Sequence, residues 1–213
     1  MTAADLSSCR LYGILDLGYV DVSNAKSMAE RMMDGGVDLL QLRAKSFSAD
    51  EIETVAVTLH RITAKRNVAL VVNDHPEIAR SVGAEGVHLG QDDLSIDQAR
   101  EIAGPNCMVG KSTHCLDQAI QACDQGADYI GFGPIFATPT KPDYPAIGLR
   151  DIRAVHDAVR IPIFCIGGIK LENLPDVVAA GAQRVVIVSG LLQAPDVASY
   201  ARSAKDLLTK PKN

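Results

Sequence analysis

The chain repeats one short pattern four times: a glycine followed at once by a short apolar segment. The copies begin at Gly36, Gly83, Gly126 and Gly181, so successive glycines are 47, 43 and 55 residues apart. A glycine just past a helix end supplies the left-handed backbone that closes the helix. Each copy therefore predicts the end of a helix and the start of a strand. The spacing is about twice the length of one strand–helix unit, which leaves room for a second strand between copies.

A second series of apolar segments falls between the four copies, so the chain has eight predicted strands. The intervening segments are residues 11–15, 68–72, 107–109 with their neighbours, and 161–166. Helices fit the gaps. Ser48 and Ser95 each begin a capping box, with Glu51 and Gln98 three residues later. Further helices are predicted over residues 117–123, 151–159 and 174–180.

Strands that alternate with helices throughout a chain indicate a parallel sheet. Eight such units in an undivided chain of 213 residues favour a single-domain (β/α)8 TIM barrel over residues 1–213. A doubly wound open sheet is the alternative. It would more often place a GxGxxG motif after the first strand, where this chain has Leu15-Asp16-Leu17-Gly18.

Composition excludes several functional classes. A net charge of -5 argues against a general nucleic-acid or anionic-membrane binder. Apolar runs are too short to span a bilayer, and the start shows no signal-peptide pattern. The five cysteines lack metal-ligand spacing and are interpreted as free thiols in a reducing compartment. We therefore expect a cytoplasmic protein that binds neither nucleic acid nor membranes.

Polar residues cluster where the predicted strands end, the edge at which active sites of such barrels form. Gln41, Arg43 and Lys45 alternate along one strand, so their side chains project to the same side and offer two cations to an anion. Asp74 and Asp93 follow two neighbouring strands and offer hard oxygen ligands suited to Mg2+. An aspartate at a strand end can equally serve only as a helix cap.

Glycines after the last two strands point to a second anion site. Gly167-Gly168 and Val188-Ser189-Gly190 lie where barrels of this kind often bind phosphate through backbone N–H groups. A Gly-Gly pair can also simply permit a tight turn. Taken together, the strand ends predict two phosphorylated ligands, one a diphosphate held with a metal and one a monophosphate.

These segments resemble the thiamine phosphate synthase family, also called thiamine-phosphate pyrophosphorylase. The matching motifs have the family's order and spacing between about residues 10 and 192. They are QLRAK at 41–45, ND at 73–74, GVHLGQDD at 86–93, GKSTH at 110–114, GADYIGFGPIFATPTK at 126–141, IGGI at 166–169 and VSG at 188–190. The resemblance implies a TIM-barrel transferase with two phosphorylated small-molecule substrates. A homodimer is an open alternative to a monomer.

The resemblance also implies a role for each matching residue. Residues implied to bind the hydroxymethylpyrimidine diphosphate are Gln41, Leu42, Arg43, Ala44, Lys45, Asn73, Ser112 and Lys141. Residues implied to bind the thiazole phosphate are Thr138, Pro139, Thr140, Gly168, Val188 and Ser189. Asp74 and Asp93 are implied to bind Mg2+. Catalysis is expected to fall to Arg43, Lys45, Lys141 and Ser112.

The implied reaction joins 4-amino-2-methyl-5-hydroxymethylpyrimidine diphosphate to 4-methyl-5-(2-phosphoethyl)thiazole, or to its carboxylated form, with release of pyrophosphate. The pyrimidine ring can stabilise a cationic methylene, which favours a dissociative route. The alternatives are a thiazole tautomerase, a phosphate-ligand sensor and a Schiff-base enzyme that uses Lys45 or Lys141.

The sequence departs from the family pattern at three places. Lys111 stands where a small or apolar residue is usual, and by alternation it points away from Ser112, as a surface or snorkelling lysine would. Phe164-Cys165 replaces a smaller pair, and Gly190 replaces a frequent alanine. We expect His88 to pack or hydrogen-bond near the barrel mouth, and the role of His114 is left open. The cysteines are expected to be buried small hydrophobes and not catalysts.

Overall fold

The computed structural model describes residues 6–138 and 145–209. Eight parallel strands are hydrogen-bonded in sequence order and close into a barrel, with β8 beside β1. The strands are β1 Leu11–Asp16, β2 Leu39–Arg43, β3 Ala69–Asn73, β4 Gly86–Leu89, β5 Met108–Thr113, β6 Tyr129–Phe132, β7 Ile163–Cys165 and β8 Val185–Ile187. The predicted TIM barrel is confirmed, and the open doubly wound sheet is excluded.

Helices follow every strand and cover the outside of the barrel. They are α1 Val22–Asp34, α2 Ala49–Lys65, α3 Pro76–Val82, α4 Ile96–Ala103, α5 Leu116–Asp124, α6 Ile152–Ala158, α7 Leu174–Ala179, α8 Ser189–Leu192 and α9 Val197–Thr209. Both predicted capping boxes are present, at Ser48 for α2 and Ser95 for α4. No helix in the described ranges combines the length and apolar character needed to cross a membrane.

The core has two layers because strand side chains alternate between the two sides of the sheet. The outer layer packs between the strands and the helices. Inside the barrel, the rings of Tyr12, Tyr129 and Phe164 meet edge to face, with centroids 5.3–6.0 Å apart. Phe164 thus fills the barrel interior, whereas Cys165 faces the outer layer. The unusual Phe164-Cys165 pair is explained by packing.

The cysteines are free thiols, as expected. Cys9, Cys107 and Cys165 are buried, whereas Cys123 is half-buried and Cys115 is exposed. Burial raises the pKa of the Cys165 thiol to about 12 and those of Cys9 and Cys107 to about 11. These three thiols are therefore un-ionised and inert near neutral pH, which suits a packing role.

The four repeated glycines have the left-handed backbone that the sequence predicted. Their φ angles are 92° at Gly36, 74° at Gly83, 82° at Gly126 and 117° at Gly181. This conformation is strained for residues with a side chain, so glycine is favoured at each site. Each glycine turns the chain from a helix into the following strand.

Three copies of the repeat also place a carboxylate two residues after the glycine. Asp38, Glu85 and Asp128 accept backbone N–H bonds from the start of the preceding strand, at Leu11, Leu70 and Val109, over 2.8–3.0 Å. Each carboxylate also contacts a basic side chain of an outer helix, which is Lys205, His60 and Arg100 in turn. The fourth copy has Gln183 at this position. Through these carboxylates the repeat connects strands to outer helices at the amino-terminal end of the barrel, opposite the cavity.

We predict that Asp128→Ala lowers the free energy of unfolding by about 2 kcal/mol, because it leaves the Val109 N–H and the Arg100 guanidinium without their shared acceptor. Urea denaturation measures this loss. Asp157→Ala, at an exposed position on α6, is the control and should change stability by less than about 0.5 kcal/mol. Equal losses in the two variants would contradict the fastening role.

Candidate active site

A cavity opens at the carboxyl ends of the strands. All eight strands or the segments directly after them contribute to its wall. The lining residues are Ile14, Gln41, Arg43, Asn73, His88, Ser112, Thr113, His114, Gly131, Gly133, Pro134, Thr138, Ile166, Gly167, Gly168, Ile169, Val186, Val188 and Ser189. This is the end of the barrel at which catalytic residues of the fold are found.

Most of the predicted binding residues that the structure describes lie at this cavity. Those in its lining are Gln41, Arg43, Asn73, Ser112, Thr138, Gly168, Val188 and Ser189. Leu42 and Ala44 belong instead to the outer core, so their side chains face the helices. A contact of these two residues with a ligand would therefore come from their backbone, and their assignment as binding residues stays a prediction. Pro139, Thr140 and Lys141 lie outside the described residues.

Arg43 is held in place by Asp16, which was not among the predicted site residues. Its Nη1 donates to Asp16 Oδ2 over 2.5 Å, and Asp16 is buried at the end of β1. The two residues are direct neighbours in the β1–β2 register. Asp16 also accepts the Gly18 N–H over 2.9 Å, which orders the turn after β1. The signal in the sequence is an aspartate at the end of the first predicted strand.

Lys45, Asp74 and Asp93 form a second charged group beside the cavity. The Lys45 ammonium is paired with Asp74. Asp74 has a φ of 65°, a strained value for a residue with a side chain, and its N–H donates to the His88 carbonyl over 2.9 Å. The Asp93 carboxylate accepts the Gly90 N–H over 2.6 Å. The structure therefore brings together three of the residues that the sequence placed in one site.

The carboxyl groups of Asp74 and Asp93 shift each other's pKa in opposite directions. Burial is the main cause that raises the pKa of Asp74, with Asp93 adding to the rise and Lys45 opposing it. Burial also acts to raise the pKa of Asp93, but Asp74, the hydrogen bond from the Gly90 N–H, and the nearby Lys45 and Lys111 lower it overall. Two carboxyl groups this close favour a cation or a shared proton between them.

Lys111 is buried, so the surface alternative is wrong and the snorkelling alternative is not contradicted. Its side chain is buried on the outer face of the sheet, and Nζ donates to the Leu94 carbonyl over 3.3 Å. Burial lowers the pKa of Lys111, while Asp93 and Asp92 act to raise it. The prediction that the Lys111 and Ser112 side chains point to opposite sides of the strand is confirmed. Ser112 lines the cavity, whereas Lys111 contacts Leu94, the residue after Asp93.

Gly167 and Gly168 allow the segment after β6 to approach the end of β7. Their φ angles are 99° and 64°. A Cβ on Gly168 would lie 2.7 Å from Phe136 Cβ, and one on Gly167 would overlap Pro134. The Phe136 N–H donates to the Gly167 carbonyl over 3.0 Å. Close approach of the backbone therefore explains the glycine pair, and Gly168 still faces the cavity.

The two histidines at the mouth have hydrogen-bonding roles. His88 contacts Ser112 Oγ through Nε2 over 3.0 Å and the Tyr129 hydroxyl through Nδ1 over 3.2 Å, which confirms the expectation for His88. His114 Nδ1 donates to the Gly133 carbonyl over 2.5 Å. His114 thus connects the end of β5 to the segment after β6.

The fold and the site together define a TIM-barrel enzyme whose cavity combines paired ions with glycine-rich turns, a combination suited to phosphorylated small molecules. A profile described as thiamine monophosphate synthase matches residues 11–191. The chain therefore belongs to the thiamine monophosphate synthase family, and it is a transferase of thiamine biosynthesis.

Individual relatives agree with this assignment. The chain is 41% identical over 210 residues to a thiamine-phosphate synthase of Chloroflexus aurantiacus, covering 98% of this chain and 97% of the relative. It is 42% identical over 181 residues to a thiamine-phosphate synthase of Thermus thermophilus, covering 84% and 86%. A solved thiamine phosphate pyrophosphorylase from Pyrococcus furiosus superposes with a TM-score of 0.86 at 31% identity, covering 94% and 95%.

We predict that Asp16→Asn lowers the rate of thiamine phosphate formation at least about tenfold, because Arg43 loses the carboxylate that orients it. Steady-state assays measure the rate. Asp21→Asn makes the same charge change at an exposed residue before α1, where the structure describes no side-chain capping bond. Activity in Asp16→Asn that matches Asp21→Asn would show that Arg43 does not depend on this ion pair.

Proposed function

We propose that the protein joins hydroxymethylpyrimidine diphosphate to the thiazole phosphate and releases pyrophosphate; with the carboxylated form of the thiazole, CO2 is lost as well. The observation that carries this proposal is the pairing of Arg43 with Asp16 and of Lys45 with Asp74, with Asp93 nearby, at one end of the barrel. This arrangement suits a ligand that carries several negative charges and gains more on its leaving group. Family membership supports the same reaction.

The bond that breaks joins the pyrimidine methylene to the diphosphate oxygen. Its electron pair leaves with pyrophosphate, so negative charge develops on that group. Arg43 and Ser112, which line the cavity, and Lys45 beside it are proposed to stabilise this charge, with Ser112 donating a hydrogen bond. Lys141 is proposed for the same task from the resemblance alone. The methylene carbon, left electron-poor and stabilised by the ring, is then attacked by the thiazole nitrogen in a dissociative route.

Attack by the thiazole nitrogen needs no strong base because the nitrogen already carries its lone pair. The surroundings of Ser112 agree with this mechanism. His88 contacts Ser112 through one ring nitrogen, but its other ring nitrogen meets the Tyr129 phenol and not a carboxylate. The pair therefore lacks the geometry that activates a serine nucleophile. Ser112 is better suited to bind the diphosphate than to attack it.

Mg2+ is proposed as the cofactor, held by Asp74 and Asp93. The fit is supported by the chemistry of the donors, which are two interacting carboxyl groups at adjacent strand ends, one in a strained backbone conformation. Among the described residues no three carboxylate, histidine or cysteine groups converge. Diphosphate oxygens would therefore complete the ligand set, as is usual for Mg2+. When bound, the ion would neutralise charge on the leaving pyrophosphate.

The thiazole phosphate is proposed to bind at the opposite wall, near Gly168, Val188 and Ser189. These residues line the cavity after β7 and β8. Ser189 begins the short helix α8, so backbone N–H groups there are available to an anion. Thr138 lines the same cavity, while Pro139 and Thr140 are assigned to this substrate from the resemblance alone.

We predict that the purified protein forms thiamine phosphate and pyrophosphate from the two substrates only when Mg2+ is present. Chromatography of the products tests this directly. A thiazole tautomerase or a phosphate-ligand sensor would form no thiamine phosphate under any metal condition. Product formed equally well with a chelator present would remove Mg2+ from the mechanism.

We further predict that Lys45→Ala and Asp74→Ala each lower turnover at least about tenfold while the fold survives, because each removes a charge next to the leaving group. Turnover and circular dichroism are measured together. Asp92→Asn, at an exposed neighbour of Asp93, is the control and should retain most activity. Near-normal turnover in both alanine variants would contradict the charge assignment.

The cellular setting and the assembly state stay predictions. The five free thiols support our expectation of a reducing, cytoplasmic environment. A homodimer is likewise proposed and is open to test by light scattering.

A further inference from the structure

Five side chains form a hydrogen-bonded row across the inside of the barrel. Gln41 Nε2 donates to the Tyr12 hydroxyl over 2.5 Å, and the Tyr12 and Tyr129 hydroxyls are 3.1 Å apart. The Tyr129 hydroxyl is 3.2 Å from His88 Nδ1, and His88 Nε2 is 3.0 Å from Ser112 Oγ. Gln41 and Ser112 line the cavity, whereas the two tyrosines lie below it in the aromatic layer. The row therefore joins two points of the cavity wall through the interior.

The orientation of the Gln41 amide points to one direction for the row. Its nitrogen donates to the Tyr12 oxygen, and a row that keeps this sense has the Tyr12 O–H donating to Tyr129. In the same sense the Tyr129 O–H donates to His88 Nδ1; the distances alone allow either partner of these two contacts to be the donor. A neutral imidazole that accepts at Nδ1 carries its proton at Nε2, so His88 donates to Ser112 Oγ. The Ser112 hydroxyl proton is left for the cavity.

Both tyrosines keep their protons under ordinary conditions. Burial raises the pKa of the Tyr12 phenol and of the Tyr129 phenol. Each therefore remains a neutral O–H group that can accept one hydrogen bond and donate another. An ionised phenolate would break the row, since it cannot donate.

A glycine on β5 makes room for the central contact. A Cβ on Gly110 would overlap the Tyr129 ring and lie 2.6 Å from His88 Nδ1. The backbone φ of Gly110 is not in the left-handed region, so conformational freedom does not explain the glycine. The glycine is explained by the space that the contact between Tyr129 and His88 requires.

We propose that Tyr12 and Tyr129 are positioning residues that fix which way the two ends of the row present hydrogen bonds to the substrate. Gln41 keeps its carbonyl oxygen as an acceptor, and Ser112 keeps its O–H as a donor. The proposal rests on the proposed function, because it assigns these two ends to the pyrimidine diphosphate. A substrate with an N–H donor at one end and anionic oxygens at the other matches this polarity.

The test compares Tyr129→Phe and Tyr12→Phe with Thr63→Val. Thr63 is a fully buried residue of α2 whose hydroxyl donates to the His60 carbonyl, so its variant also deletes one buried hydroxyl, away from the cavity. Calorimetry measures binding of the pyrimidine diphosphate alone and of the thiazole phosphate alone. Steady-state assays give kcat and KM for each substrate, and urea denaturation gives stability.

We expect both tyrosine variants to weaken binding of the pyrimidine diphosphate, or its kcat/KM, at least about fivefold. Thiazole phosphate binding should stay within about twofold of the unaltered protein, and Thr63→Val should leave binding of both substrates unchanged. A row that merely satisfies buried polar groups would lower stability in all three variants without this difference between substrates. That result would overturn the proposal.

The tautomer of His88 gives a readout that needs no reaction. In protein labelled with 15N at histidine, the ring-nitrogen shifts should show a proton on Nε2 and none on Nδ1 near neutral pH. His88→Gln identifies the His88 signals by their loss, and Tyr129→Phe should shift the tautomer equilibrium toward Nδ1–H. A His88 protonated at Nδ1 in the unaltered protein would refute the direction of the row. This result stands whether or not thiamine phosphate is formed.

Discussion

Parallel pairing of β1 with β8 is the contact on which the site depends. Leu11 pairs with Val185, which closes the sheet and brings the carboxyl ends of all eight strands to one rim. Asp16 and Ser189 are 173 residues apart in the chain, yet both lie at this rim. Register matters equally, because a shift of one residue along β2 would turn Leu42 to the interior and Gln41 to the helices.

The rim charges are paired before any substrate arrives. Arg43 is bound to the buried Asp16, and Lys45 to Asp74. An unpaired cation on a long side chain would be mobile and would have to be ordered on binding, at a cost in conformational entropy. Pairing with fixed carboxylates removes part of that cost and leaves the remaining N–H groups of each cation for an anionic ligand. Preorganised charge of this kind is where enzymes gain much of their stabilisation of a transition state.

Local signals in the sequence were enough for the fold and for much of the site. The glycines at 36, 83, 126 and 181, the two capping boxes and the strand-end polar residues each act over a few residues, so they can be found without a structure. Asp16 could not be found in this way, because its partner Arg43 is adjacent only through the β1–β2 register. The contiguous motif at 41–45 did not show that the side chains of Leu42 and Ala44 face the helices, because it includes residues of both strand faces. The hydrogen-bonded row inside the barrel could not be predicted from the sequence, because Tyr12 and Tyr129 have the pattern of ordinary core residues.

Polar atoms inside this barrel are tolerated because each is satisfied by the next. A buried hydroxyl or amide without a partner costs on the order of 1–3 kcal/mol, so removal of one member of the row exposes its neighbours to that penalty. The row therefore resists local rearrangement. Its hydrogen bonds hold the side chains of Gln41 and Ser112 in place although both face an open cavity. The Lys45–Asp74 pair at the rim is less constrained, since water reaches half of the Lys45 side chain, whereas Arg43 is held by the buried Asp16. The site thus combines rigid polar groups inside the barrel with one exposed ion pair at its rim.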